Sequence, residues 1–377
     1  MRYLIVGAGA VGGTIAVRLH QAGRDVAVVA RGAHLEAIRA HGLTLRTPDG
    51  EYTAKLPAYG DPASRDAAAD EPTLTPDTVL VLAVKSQDTE AALRSWAGLP
   101  VAGGGAAAER LPLLTAQNGV ANEPAAARLF ARVHPVCVWL PATHLEPGRV
   151  VATGHPYLGM LHLGTYPRGS DETTRRIADD LAAAGFLAPV RDDVMRWKYG
   201  KLLRNLNNAV EALFGRVSDT GPTRELSEAA RAEGEAALRA AGIAFTSVAE
   251  ETAERGDQVR SIPVDGAERQ GSSTWQSLAR SAGSVETDYL NGEIVLLGRV
   301  HGVPTPVNAA LQRAMRRAVR ERIPAGAFIG LVLAFLFLPL VLIVAFSFNA
   351  SPRLSFPITG LTTRWYDEAL GDDLFVN

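Results

Sequence analysis

Apolar positions fall into two regimes along this chain. Up to about residue 190 they form short runs, Arg2 to Val6, Asp25 to Ala30, Val79 to Val84 and Leu111 to Ala116, each stopped by glycine or a polar residue. Short runs of this kind, alternating with helical stretches, predict buried strands of an α/β sheet. Leu43 to Leu56 reads as a hairpin about Thr47-Pro48-Asp49-Gly50, whose Pro, Asp and Gly are good turn formers. From Asp192 onward the spacing becomes helical, and Val194 to Phe214 predicts one long helix. A third regime follows: Ala325 to Phe346 carries no charge over 22 residues. As a helix it would run about 33 Å, enough to cross a bilayer, with Pro339 as a kink. Arg316, Arg317, Arg320 and Arg322 precede it and would hold that end on the cytoplasmic side.

The first run leads into Gly7-Ala8-Gly9-Ala10-Val11-Gly12-Gly13 and then a helical pattern from Thr14. Strand, glycine turn and helix in this order form a dinucleotide fingerprint. Gly7 permits the tight turn, Gly9 lets backbone approach a pyrophosphate, and Gly12 lets the helix pack on the strand, with the phosphates at the helix N-terminus. The predicted fold class is therefore α/β, with an N-terminal Rossmann domain over 1–190, an all-helical domain over 191–322 and a transmembrane helix with its tail over 323–377.

Cofactor choice turns on the end of the second strand. An NAD site usually has an acid there for the ribose 2′-hydroxyl, whereas this chain has Ala30-Arg31 and no acid until Glu36. Arg31 can pair with a 2′-phosphate, so NADP(H) is favoured over NAD(H). Ligands of a doubly wound sheet bind beyond the carboxyl ends of its strands, where Gly7, Arg31, Lys85 and Asn118 would converge.

Composition narrows the chemistry. The net charge of −2 and the lack of a basic block argue against nucleic acid, and the single cysteine, Cys137, excludes an internal disulfide and fits a reducing compartment. The eight histidines show no metal-ligand spacing, so no metal is expected. Only four lysines, Lys55, Lys85, Lys198 and Lys201, stand among 38 basic residues. Where arginine is the default, a retained lysine points to a site needing a compact, titratable ammonium. Lys85 and Lys201 fit that reading best; Lys55 and Lys198 read more simply as solvated surface, with a share of the catalytic role left open for Lys198. On the helix beginning at Val194, Lys201, Asn205 and Asn208 fall within roughly 60° of one another while Asn207 points elsewhere. Hydroxyls at Ser272-Ser273-Thr274 and the run Glu286-Thr287-Asp288-Tyr289-Leu290-Asn291-Gly292 follow. A carboxylate, hydroxyls and an amine beside a nicotinamide make a carbonyl-reduction site.

From Met1 to about Arg322 these residues resemble the ketopantoate reductases (2-dehydropantoate 2-reductases). The resemblance rests on the glycine fingerprint, Arg31, Lys85, Gln117-Asn118-Gly119, Lys-Leu-x-x-Asn at Lys201, the Ser-Ser pair and Glu-x-Asp-Tyr-x-Asn-Gly at Glu286. It implies NADPH-dependent reduction of ketopantoate to pantoate, a step toward pantothenate and coenzyme A, in a cleft between the two domains. Lys201 would be the general acid, its charge kept by a nearby Glu286, and Glu286 would receive the product's hydroxyls. Asn205, Asn208 and Ser273 would hold the substrate. Gly7, Ala8, Gly9, Ala10, Val11, Gly12, Arg31, Lys85 and Asn118 would hold the cofactor. One departure is that the family's second helical amide position is Ala209 here, the amide being Asn208.

The tail has a resemblance of its own. Leu338 to Asn349 and Phe356 to Tyr366 resemble the start of a permease of polyamine-type ABC transporters, which reads as a gene fusion or a misjoined reading frame. The expected partners are a small 2-keto acid, a bilayer through 325–346 and a second copy in a homodimer, with the catalytic domains cytoplasmic. Two alternatives stay open: another 2-keto acid as substrate, or a transport-associated subunit whose N-terminal domain senses nucleotide.

Overall fold

The computed structural model describes residues 1–63, 71–144, 146–215, 217–218, 220–264, 286–321, 338, 344, 346–350 and 360–370. Strands β1 (Arg2–Val6), β2 (Asp25–Val29), β3 (Leu43–Thr47), β4 (Gly50–Ala54), β5 (Ala58–Tyr59), β6 (Thr78–Leu82) and β7 (Leu113–Thr115) arise from the short apolar runs. They are followed by β8 (Val133–Trp139), β9 (Ala142–Thr143), β10 (Arg149–Ala152), β11 (Gly154–Pro156), β12 (Met160–Leu163) and, much later, β13 (Val259–Ser261).

Seven of them make one sheet in the order β12-β8-β7-β6-β1-β2-β5. β1 pairs in parallel with β2 on one side and β6 on the other, so the chain's winding reverses at β1. The central strands are buried on both faces: β6 has all its residues inside, as a sheet covered by helices on both sides requires. The predicted hairpin is β3 with β4, and it joins β10 and β9 in a second sheet of four strands.

After Asp193 the structure is helical, through Val194–Asn205, Asn207–Phe214, Pro222–Ala240, Val248–Arg255, Asn291–His301 and Pro306–Arg320. Their shared core includes Leu202, Leu203, Leu206, Ala209, Ala237, Ile294, Leu311 and Met315. The N–H groups of Val307 and Asn308, orphaned at a helix start, donate to the Glu233 carboxylate at 2.8 and 3.0 Å. Two expectations change here. The C-terminal part is not all-helical, because β13 returns to pair antiparallel with β11. Nor is Val194 to Phe214 one helix, because the ladder is interrupted at Leu206. The Leu206 carbonyl instead accepts Asn291 Nδ2 at 3.3 Å, and a side chain inserted into the ladder is a recognised cause of such breaks.

Among the described residues no helix is long and apolar enough to cross a membrane. Most of 325–346, where the membrane span was expected, lies outside the described residues.

Candidate active site

The cleft lies where the sheet's winding reverses, beyond the carboxyl ends of β1, β2, β6 and β7. It encloses ≈ 430 Å³ and is lined by Gly7, Ala8, Gly9, Ala10 and Val11 together with Arg31, Lys85, Asn118 and Glu286. The glycine turn fits a dinucleotide on two observations. Gly7 has φ +103, and a Cβ there would meet the Ala83 backbone at 2.9 Å, while a Cβ on Gly9 would meet nothing within 4 Å. The turn is thus tight on its inner side and open on the side a phosphate approaches. Helix Ala10–Gln21 has no side chain capping its first turn, which leaves backbone N–H groups for an anion. Gly12 stands behind the cleft: a Cβ on it would lie 2.0 Å from the Gly7 carbonyl oxygen, so its role is helix-on-strand packing.

The lysine of the helical part reaches this place directly. Lys201 Nζ donates to Asn118 Oδ1 at 2.9 Å. Burial pushes the Lys201 ammonium down to about 8, and the charges of Lys198 and Arg204 push the same way. Glu286 is 7% exposed and accepts from the Ser86 N–H at 3.3 Å and the Ser86 hydroxyl at 3.4 Å. Burial raises the Glu286 carboxyl; the Lys85 charge, the Ser86 bonds and Lys201 oppose that shift. Lys201 and Glu286 thus feel each other's charge, but desolvation is the largest influence on both, and Glu251 is a further carboxylate acting on Lys201.

The loop carrying Asn118 is fixed from below by Gln117, part of the motif read from the sequence, and by Asn122, which sequence reasoning did not single out. Asn122 Nδ2 donates to the Asn118 carbonyl at 2.9 Å, and Gln117 Nε2 donates to the Val84 carbonyl at 2.8 Å. Gly119, with φ +78, makes the turn. Lys198, read from sequence as solvated surface, is buried. Its Nζ meets Glu123 Oε1 at 2.6 Å, the Gln117 carbonyl at 2.9 Å and the Val136 carbonyl at 3.3 Å. His34 ties the glycine turn, donating from Nε2 to the Ala8 carbonyl at 2.8 Å while its Nδ1 accepts the Gly148 N–H at 2.9 Å.

Asn205 is buried near the end of the first helix and Asn208 half-buried on the second, with Leu206 between them still in helical geometry at φ −57, ψ −30. Asn207 does point elsewhere, its Oδ1 accepting from Ser227. Ala209 is buried in the helical core. Ser273 lies outside the described residues. Beside Lys201, the Trp139 ring gathers three cations: Lys201 Nζ at 5.4 Å, the Arg204 guanidinium at 4.9 Å and the Arg255 guanidinium at 5.1 Å from its centroid. Arg204 is bonded to Glu251 Oε2 at 3.2 and 3.3 Å. Among the described residues no cluster of His, Cys, Asp and Glu could hold a metal ion.

Comparison with known proteins matches this arrangement over both parts of the chain. Residues 3–168 match the family model "Ketopantoate reductase PanE/ApbA", and residues 193–319 match "Ketopantoate reductase PanE/ApbA C terminal". The chain is 32% identical to a 2-dehydropantoate 2-reductase of Mesorhizobium japonicum, over 85% of this chain and 99% of that protein. It is 26% identical to the 2-dehydropantoate 2-reductase of Pyrococcus horikoshii, over 82% and 95%. Among solved structures, a PanE/ApbA family ketopantoate reductase from Ralstonia eutropha superposes with TM-score 0.67 at 29% identity, over 85% of this chain and 99% of the other. D-mandelate dehydrogenase with NADH and anilino(oxo)acetate shares the fold at TM-score 0.70 and 21% identity, over the same shares. With a Rossmann-like sheet, a helical C-terminal part and both family models matched, the chain belongs to the ketopantoate reductase PanE/ApbA family.

Proposed function

We propose that this chain reduces 2-dehydropantoate to pantoate with NADPH, in the cleft between a dinucleotide domain over 1–190 and a helical domain over 191–322. The observation that carries the reading is the Lys201–Asn118 hydrogen bond at 2.9 Å, which ties a desolvated ammonium to a residue that lines the same cleft as the glycine turn.

NADPH supplies the hydride for the ketone carbon. The glycine turn and the uncapped helix start hold the pyrophosphate, and Arg31, Lys85 and Asn118 hold the nucleoside ends. Lys201 faces the carbonyl oxygen. As negative charge builds there, the ammonium stabilises it and then hands over a proton from Nζ. With its pKa lowered to about 8, Lys201 gives that proton more readily than an ordinary lysine, and Asn118 Oδ1 keeps Nζ aimed. Glu286, in a buried position with its carboxyl raised, receives a hydroxyl of the product. Asn205, Asn208 and Ser273 hold the rest of the substrate. The three cations at Trp139, set against Glu251, favour an anionic substrate such as a 2-keto acid.

A different 2-keto acid is the second reading. It is favoured by Ala209, a buried apolar residue where the family pattern has an amide. NADPH oxidation by a chain ending at Arg322, with ketopantoate and a panel of 2-keto acids, separates the two. Turnover confined to ketopantoate supports the first reading, and turnover of another acid alone supports the second. Binding of NADPH with no turnover would instead favour a nucleotide-sensing role. The family matches end at residue 319, and the uncharged run 325–346 is read as a membrane anchor acquired by gene fusion or by a misjoined reading frame, with no part in the chemistry.

A further inference from the structure

In sequence the first acid after the second strand is Glu36, yet a carboxylate reaches the same end of the cleft from another strand. β5 pairs with β2 at the sheet edge, and Asp61 follows it after Gly60. Asp61 Oδ2 accepts from Arg31 Nη2 at 3.0 Å, and Asp88 Oδ1 lies 4.0 Å from Arg31 Nη1. All three residues line the cleft with the glycine turn. Asp61 is the anchored member of the group. Its Oδ1 accepts the Ala63 N–H at 3.1 Å and its side chain is 18% exposed, against 57% for Arg31.

Two carboxylates around one guanidinium leave this end of the cleft net negative. A ribose 2′-hydroxyl can donate to a fixed carboxylate, whereas a phosphate with close to two charges is repelled by it and must draw Arg31 away. We propose that Asp61 is the residue that sets cofactor discrimination, accepting the 2′-hydroxyl of NADH and opposing the 2′-phosphate of NADPH, so that both dinucleotides bind. The inference rests on the cleft's assignment to a nicotinamide dinucleotide and is independent of which keto acid is reduced.

The test is equilibrium binding of NADPH and of NADH to the full chain, followed by the fluorescence of the reduced nicotinamide with no keto acid present. Wild-type protein is expected to hold the two with Kd values within about tenfold of each other. In Asp61→Asn the amide oxygen can still accept the Ala63 N–H while the charge is gone, and the Kd ratio should move toward NADPH by about tenfold or more. A ratio that stays put, or moves toward NADH, overturns the proposal. Should the variant fail to fold, wild-type protein is titrated with adenosine 2′,5′-bisphosphate and with 5′-AMP. Comparable affinities support a carboxylate opposing the 2′-phosphate, and a preference for the bisphosphate beyond about a hundredfold overturns it. Binding of neither dinucleotide would overturn the cleft assignment itself, a result distinct from a wrong role for Asp61.

Discussion

Lys198 Nζ lies 2.6 Å from Glu123 Oε1, with the two side chains 2% and 0% exposed. The ammonium's other two donors go to backbone carbonyls at Gln117 and Val136, so all three of its protons are used. Glu123 Oε1 also accepts the Thr115 hydroxyl at 2.7 Å. This buried pair fastens the helix that carries Lys201 to the loop that carries Asn118. It makes Lys198 a positioning residue and, in the proposed mechanism, leaves the proton transfer to Lys201.

Removing one member strands the other. Lys198→Met should cost about 3–5 kcal/mol in urea unfolding, because the Glu123 carboxylate stays buried without its partner. The double variant Lys198→Met, Glu123→Leu should recover most of that loss. If the single variant were as stable as wild type, the pair would not be the fastening described.

Lys201→Ala should lower kcat by about 10²–10⁴-fold while leaving the Kd for NADPH nearly unchanged. Turnover near the wild-type rate would move the acid role to another group.

The pH dependence follows from the depressed Lys201 ammonium. With Lys201 as the acid, reduction needs its protonated form, so kcat/KM, which reports the free enzyme, should fall as pH rises through about 8. Stability runs the other way. Between the folded value and the ordinary lysine value of about 10.4, the unfolded chain binds more protons, so this group makes the fold more stable as pH rises through that window. A rate profile flat up to pH about 10 would remove the assignment.

Asn291 Nδ2 joins the Leu206 carbonyl to Asn308 Oδ1, the latter at 3.0 Å. Asn291→Leu should therefore reduce stability by about 1–3 kcal/mol, through buried acceptors left without a donor. It should also raise KM for the keto acid, because Glu286 and Asn205 flank that junction in sequence. Thermal melting and steady-state kinetics check the two effects separately.

Arg255 stands with Lys201 over the Trp139 ring. If the cations there recognise the substrate carboxylate, Arg255→Gln should raise KM for the 2-keto acid about ten- to a hundredfold and leave KM for NADPH alone. Equal increases for both would place Arg255 in the scaffold.

Local signals made much of this site legible in the sequence. The Gly7 to Gly12 turn could be read because strand, turn and helix are contiguous, and Lys201 because a lysine retained in an arginine-rich chain stands out. What stayed hidden depends on residues distant in sequence. Asp61 reaches Arg31 only because β5 adds to the edge of β2, and Lys198 finds Glu123 only once the helix packs on β8. No Gly or Pro marks the break at Leu206; it coincides with the docking of Asn291, distant in sequence, on the Leu206 carbonyl.

The pairing of β13 with β11 has a mechanical consequence. Val259 to Ser261 returns from the helical half and bonds along Gly154 to Pro156, and Ile262 N–H adds a bond to the Thr153 carbonyl at 2.8 Å. The chain thus crosses from the sheet to the helices near Arg191 and is laced back again about seventy residues later. A single hinge needs one crossing; two crossings make a brace. Swinging the halves apart as rigid bodies would tear a strip of backbone hydrogen bonds, so breathing of this cleft has to come from its side chains and loops.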